Sequence, residues 1–519
     1  MSSPAKTAVT STGRGIVFIS AAKLWFMVAG YAVVFTLPSK WAFGSPAKYG
    51  VWVLILNLVS LVNNVMVTAT IQSVSKFSSE GEGKMPSVLR AALRMHTFVG
   101  GGTALLFFLL APWVASFLHD PSLTPLLRVA SVIILAYSYY ASFVGAANGT
   151  RAFHKQAALD ATFSTVRTAL VVGIAVATHS VLASTAGFAG AAVFVMLVSM
   201  AVVGFGKRPS ATEKFPLATM LRFFLGVALY LLIQNGLMFA DGIWLKRLVA
   251  EAAERAHAID PALVADTQQG YYGAVQQLAR IPYQLILAVT FVIFPLMSRA
   301  TFEGDSDRTR GYVESTMRYS LMVVSALAAI LGSRPHATLG LVFKPEYGEG
   351  AFALALLLFG YVCFALFTIA GTIINSSGRT RPTTLIGAAT LALAIVLIKV
   401  SVDHALSHGL DCLRFAAGAS AISMAFGVLQ LGIYLKREFG SFLPIRTVLV
   451  VLCATGVTAA AGQVWPATGI LAGKLGTLIW CGVAGTLFAG VLIGTGELNP
   501  RALLKARAQG KNNESPQNP

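Results

Sequence analysis

Apolar residues run along this chain in fourteen long blocks, near 15–37, 48–72, 96–117, 124–147, 153–178, 182–206, 219–241, 270–298, 316–343, 351–375, 382–402, 415–435, 445–465 and 472–495. Each is close to the roughly 20 helical residues that cross a bilayer. Short polar breaks rich in Pro, Gly and charge separate them, and in lipid only helices or closed barrels satisfy their own backbone. The pattern predicts an all-α polytopic membrane protein of about 14 transmembrane helices, with no loop long enough to fold as a separate domain.

The block Gly270–Ala300 departs from the others. At helical spacing Gln269, Gly273, Gln276 or Gln277, Arg280 and Gln284 share one face, and Leu, Ile, Val and Phe fill the opposite one. A charge near mid-bilayer is costly unless water or a partner solvates it, so the stripe predicts a helix lining a polar interior. Span 2 carries Asn57, Ser60, Asn64 and Thr68 on one face with Asn63 beside it, and span 7 carries Gln234 and Asn235. Amides and hydroxyls both donate and accept, which suits sugar hydroxyls. Such residues also knit membrane helices together. Pro282 and Pro295 in span 8 free backbone groups and permit bends.

Composition agrees: 56% of the residues are hydrophobic and 12% charged, with mean hydropathy +0.71. The net charge of +18 does not call for nucleic acid, because Lys and Arg concentrate in cytoplasmic loops of membrane proteins. With both termini inside, the inner segments hold 25 of the 39 Lys and Arg and the outer loops 11. With the cations toward span ends counted in the adjoining segments, three remain inside spans: Lys23, Arg167 and Arg280. Lys6 and Arg14 precede the first span without a small-residue cleavage site, which reads as an uncleaved helix. Cys363, Cys412, Cys453 and Cys481 are scattered, with neither metal-ligand nor disulfide-framework spacing.

Each intramembrane cation has two readings. Arg280 offers a planar fork of donors suited to phosphate, or it pairs with a carboxylate or carbonyl and holds helices together. Lys23 is a point-charge phosphate binder, or it snorkels from the inner third of its helix. Arg167 shares a stripe with Asp160, Ser164 and Thr168, so an Arg167–Asp160 ion pair, or a latch made from it, competes with a substrate role. Asp241, at the outer end of span 7, either couples transport to a proton or sodium ion, or caps the helix or pairs with Lys246 or Arg247 at the interface.

A faint internal repeat is present. Tyr49-Gly50 opens span 2 and Tyr272-Gly273 opens span 8; at the same offset Ser75-Lys76 matches Ser298-Arg299 and Asn57 matches Arg280. Asn148-Gly149 after span 4 parallels Ser377-Gly378 after span 10. Two six-helix bundles fit, at 15–206 and 219–435, with a tail at 1–14, a linker at 207–218, two added helices in 436–496 and a polar, basic, disordered tail at 497–519.

The run Y-Y-G-A-x-x-x-L-x-x-x-P followed by F-P-L-M-S-R in Tyr271–Arg299, L-V-F-K-P-E-Y-G-E-G-A at 341–351 and S-S-G-R-T-R at 376–381 resemble polysaccharide-type flippases of the multidrug/oligosaccharidyl-lipid/polysaccharide exporter superfamily. The resemblance covers most of spans 1–12. It implies two bundles in a V around a central cavity, alternating access, and transfer of a polyprenyl (undecaprenyl) diphosphate-linked oligosaccharide across a bacterial inner membrane for O-antigen, exopolysaccharide or capsule. Lys23 and Arg280 lie on helices where that family places cavity cations. Lys23, Arg167 and Arg280 are then the candidate diphosphate ligands. Asn57, Asn63, Asn64, Gln234, Asn235, Gln276, Gln277 and Gln284 are the candidate sugar contacts, and Asp160 and Asp241 the candidate coupling or gating groups. No cofactor or metal is expected. Partners would be the lipid-linked substrate, membrane lipid, and the glycosyltransferases and glycan polymerase of one pathway, with no nucleic acid.

Rival readings are weaker. An envelope polymerase or ligase needs an outer-loop constellation, and 246–269 offers only Glu254, His257 and Asp260 without a nucleophile. A multidrug exporter of the same superfamily would favour an acidic cavity for cations, whereas the intramembrane remainder here is basic. A transport-dead scaffold leaves the polar stripes unexplained.

Overall fold

The computed structural model describes residues 4–498 apart from 82, 208–213, 287–292, 294–296, 298–300, 302–304, 467–470 and 472. Pro295, the Ser298-Arg299 half of the repeat and the tail beyond Leu498 lie outside the described residues. Fifteen α-helices follow one another among those described: α1 Pro4–Thr36, α2 Pro46–Ser79, α3 Met85–Phe117, α4 Leu123–Gly149, α5 Phe153–Thr178, α6 Val181–Val203, α7 Leu217–Arg255, α8 Pro261–Ala279, α9 Ser306–Gly332, α10 Pro335–Val342, α11 Ala351–Ser376, α12 Thr380–Ser407, α13 Cys412–Phe439, α14 Ile445–Val464 and α15 Lys474–Gly494. Twelve stretches among the described residues are helical, long and apolar enough to cross a membrane, and the fold is all-α and polytopic.

Local chemistry sets the boundaries. Ser45 caps α2 by accepting from the Lys48 amide at 3.3 Å, with Pro46 as first helical residue. Asp305 caps α9 from the Arg308 amide at 2.9 Å. Gly204, with φ of 72°, ends α6. The structure corrects two element boundaries. Helix α7 continues to Arg255, so Asp241 lies well inside a helix and not at its end. No Pro or Gly interrupts 243–255, and the polar run there keeps helical spacing. The block 316–343 breaks at Ser333, where Pro335 cannot continue α9 and opens the short α10.

The described chain divides into two compact units, 1–274 with 387–416, and 275–386 with 417–519. In the first, Met66, Val74, Phe77, Leu89, Met95, Phe143, Met220 and Phe224 form a core joining α2, α3, α4 and α7. Helix α7, which the repeat assigns to the second bundle, thus packs here within the first unit. In the second unit the last two helices are firmly docked. Trp480 of α15 donates to Ser333 Oγ at 2.8 Å, and Glu497 meets Arg318 of α9 at 2.9 Å and the Thr447 hydroxyl of α14.

Candidate functional site: a cationic cluster on α1 and α5

Helices α1 and α5 are zipped by a run of polar contacts. Trp25 Nε1 donates to Thr165 Oγ1 at 2.9 Å, and Thr168 Oγ1 donates to the Ala29 carbonyl at 3.1 Å. Ahead of both contacts along the two helices, the Lys23 ammonium lies 2.8 Å from Asp160 Oδ2. The Lys23 side chain is 56% exposed, while Asp160 is buried and also accepts from Tyr140 Oη of α4 at 3.2 Å.

Arg167 stands two turns on from Asp160. Its guanidinium lies 5.1 Å from the Phe26 ring centre, 5.4 Å from Phe163 and 5.9 Å from Phe188. Among the described residues no carboxylate is within ion-pair distance of it. Cation–π attraction to three rings holds the charge in place without neutralising it. The Arg167–Asp160 pair allowed by sequence spacing is therefore replaced by Lys23–Asp160, with Arg167 on an aromatic platform. Two cations and one carboxylate gather here, so the cluster carries net positive charge, with the Lys23 side chain more than half exposed. That is chemistry for an anion: ammonium as a point charge, guanidinium as a fork.

In the second unit Arg280 is buried, and its Nε donates to Tyr361 Oη of α11 at 2.8 Å. Tyr283 packs on Phe364 of the same helix, with ring centres 5.0 Å apart. Arg280 falls at a helix irregularity, because Pro282 has no amide to continue the ladder.

The amide residues separate into groups. Asn64 Nδ2 donates to Asn235 Oδ1 at 2.9 Å, and Asn235 Nδ2 donates to the Leu231 carbonyl at 2.8 Å, so this pair ties α2 to α7. Asn57, Asn63, Asn235 and Gln276 are buried; Gln234, Gln277 and Gln284 are half-buried and Asn64 is exposed. Most of the stripe expected to line a wet interior (Gln269, Gly273, Gln276 and Arg280) is buried against protein in this conformation. Asp241 accepts from Tyr272 Oη at 2.8 Å and from the Gly242 amide. Lys246 turns instead to Asp120 and Asp266. The aromatic partners Phe26, Phe163, Phe188, Tyr140 and Tyr361 were not legible in the sequence, since an aromatic in a membrane helix carries no sign of what it faces.

The family described as polysaccharide biosynthesis protein matches residues 42–301. This chain belongs to that family. Arg167 and Arg280 lie inside the matched region and Lys23 precedes it. A curated relative, an uncharacterized membrane protein of Methanocaldococcus jannaschii, is 28% identical over 174 residues, which is 32% of this chain and 32% of that relative's length. Among solved structures, the lipid II flippase MurJ in an inward closed conformation aligns over 93% of this chain and 100% of its own, with TM-score 0.71 at 13% identity. An inward-facing multidrug resistance MATE transporter of the MOP superfamily covers 82% of this chain and 98% of its own, with TM-score 0.60 at 12% identity. A MOP superfamily transporter from Pyrococcus furiosus, described by a reversed polarity of its binding pocket, covers 83% and 96%, with TM-score 0.58 at 11% identity. This member of the polysaccharide biosynthesis protein family thus has the fold of those transporters.

Proposed function

We propose that this protein is a flippase that moves polyprenyl-diphosphate-linked oligosaccharide repeat units from the cytoplasmic to the outer leaflet of a bacterial inner membrane. The product would feed O-antigen, exopolysaccharide or capsule assembly. The observation that carries the reading is the cluster of Lys23, Asp160 and Arg167, in which two cations stand beside one carboxylate and only Lys23 is paired with it. A lipid diphosphate supplies the missing negative charge. Membership in a polysaccharide biosynthesis family and the fold shared with a lipid II flippase support a lipid-linked cargo.

In this reading Lys23 and Arg167 engage the diphosphate, and Asp160 is the group that the phosphate displaces from Lys23. Arg280, oriented by Tyr361, is the third candidate cationic ligand. Asn57, Asn63, Asn64, Gln234, Asn235, Gln276, Gln277 and Gln284 remain the candidate sugar contacts, of which the half-buried and exposed ones are reachable without rearrangement. The headgroup is exposed first to one side of the membrane and then to the other, and Asp160 or Asp241 couples that change to a proton or sodium ion. Both termini face the cytoplasm. Glycosyltransferases supply the cargo and a polymerase consumes it. There is no covalent step for the protein to perform.

A multidrug or cation exporter is the second reading, favoured by the fold shared with a MATE transporter. The charge balance of the cluster opposes it. Native mass spectrometry of the purified protein separates the two, by titrating a polyprenyl-diphosphate oligosaccharide against a lipophilic cation. The flippase reading expects the diphosphate lipid to bind and Lys23→Ala or Arg280→Ala to weaken it about tenfold, or ~1.4 kcal/mol each. Binding of the cation, with both variants silent, overturns it.

A further inference from the structure

Lys246 of α7 sits in a closed socket. Its ammonium is 0% exposed and donates to Asp120 Oδ2 at 3.0 Å, to Asp266 Oδ1 at 2.5 Å and to the Ala262 carbonyl at 3.2 Å. All three of its donors are engaged, yet two buried carboxylates face one cation. Asp120 belongs to the α3–α4 turn, where its other oxygen accepts from the Ser122 amide at 3.1 Å and hydroxyl at 2.6 Å. Asp266 belongs to α8.

The ties around this socket fall into two classes. Some hold α7 and α8 together as a hairpin: Lys246–Asp266, Lys246–Ala262 and Tyr272–Asp241. Others hold the hairpin to the rest of the unit. Lys246 reaches Asp120, His119 Nδ1 meets Glu254 Oε2 at 2.8 Å, and Arg247 Nη1 donates to the Phe117 carbonyl at 3.1 Å with its guanidinium over the Phe117 ring. On the other flank α8 lies backbone to backbone against α2. A Cβ on Gly50 would stand 2.0 Å from the Asp266 carbonyl oxygen, and one on Gly270 would stand 2.1 Å from that of Pro46. The two Tyr-Gly sites of the repeat, 49–50 and 272–273, therefore meet in one seam, where Gly273 faces Val53. Gln269 is fully buried beside this seam, and among the described residues neither end of its amide has a hydrogen-bond partner. Opening would give that amide water.

We propose that the α7–α8 hairpin is a latch, closed here onto α2 and the α3–α4 turn, and that loss of a proton from the Lys246 cluster releases it by letting Asp266 pair with Lys246 alone and freeing Asp120. The proposal does not depend on the cargo. The charged groups acting on Asp266 are Lys246 of α7, Asp120 of the turn and Asp260 at the start of α8; from α2, Lys48 is turned away to the His179 carbonyl at 3.0 Å. Asp266 precedes the apolar block at 270–298, and burial pushes its carboxyl up to about 6 against the pull of Lys246. A carboxyl raised in the closed state favours closure below the ordinary carboxylate range near 4, and that contribution is lost as pH rises through about 6.

Cys412 reports the latch. It is buried, with Sγ 3.9 Å from Gln268 Oε1 on α8. The rate of Cys412 alkylation by an aqueous maleimide would be read by peptide mass spectrometry on the full chain in detergent. Asp266→Asn and Asp120→Asn each remove one carboxylate charge from the same socket with little change of shape. At pH 7.5, Asp266→Asn is expected to slow Cys412 alkylation about tenfold relative to the unsubstituted protein, a difference that vanishes near pH 5. Asp120→Asn is expected to accelerate it about tenfold near pH 5, where closure relies on Asp120, and to change it little at pH 7.5, where Asp120 is already free. An Asp266→Asn variant that does not slow alkylation at pH 7.5, or an Asp120→Asn variant that does not speed it near pH 5, overturns the latch and leaves the cluster a static support.

Discussion

The Lys23 ammonium and the Asp160 carboxylate form an ion pair 2.8 Å long between α1 and α5, although 137 residues separate them in sequence. Lys23 is more than half exposed and Asp160 is buried, so the pair is asymmetric. Water or an anion can reach the cation, whereas the carboxylate cannot easily find another partner.

Opposite effects follow for the two members. Lys23→Ala should weaken a diphosphate lipid about tenfold. Asp160→Asn, which leaves the Tyr140 hydrogen bond possible and removes the competing charge, should tighten it several-fold. Lipid titrations of both variants by native mass spectrometry check the pair, and equal losses in both would mean that Asp160 organises the site without competing for Lys23.

Arg167→Lys keeps the charge and loses the planar group that lies over Phe26, Phe163 and Phe188. The expected cost is about 1 kcal/mol of stability, from stacking alone. A thermal melt of this variant beside Phe188→Leu measures it, and the two losses should be less than additive because both remove one interaction.

Glycine substitutions should divide sharply by position. Gly50→Ala places a methyl into the Asp266 backbone and should abolish stable folding or force the α2–α8 seam apart. Gly102→Ala in α3 meets nothing within 4 Å and should stabilise by roughly 0.5–1 kcal/mol through helix propensity. Yield of monodisperse protein and melting temperature in one detergent compare them.

Glu497 is buried where three chain segments meet: Arg318 Nε lies 2.9 Å from it, Arg446 3.7 Å, and Thr447 donates to it. Glu497→Ala should destabilise the second unit by about 1–2 kcal/mol, since it strands the partly buried Arg318 and the buried Thr447 hydroxyl while the exposed Arg446 returns to solvent. Limited proteolysis between α14 and α15 should quicken accordingly. An unchanged digest would show that Trp480 and its Ser333 hydrogen bond hold the pair of helices without help.

Much of this protein is written locally. Apolar blocks of bilayer length, Ser45 and Asp305 as caps, and Pro335 as a stop give the helices and most of their limits, because helix formation depends on residues within a turn or two. The surplus of Lys23, Arg167 and Arg280 inside apolar blocks is also legible, since burial of charge in lipid is costly whatever the fold. Tertiary structure decided which groups meet. Spacing along α5 made Arg167 the natural partner of Asp160, and the neighbouring α1 supplied Lys23 instead. Spacing likewise put Lys246 near Asp241, yet the socket is built from Asp120, 126 residues earlier, and Asp266, 20 residues later. A buried charge needs partners from whichever segments close around it, and helical periodicity carries no information about which segments those are.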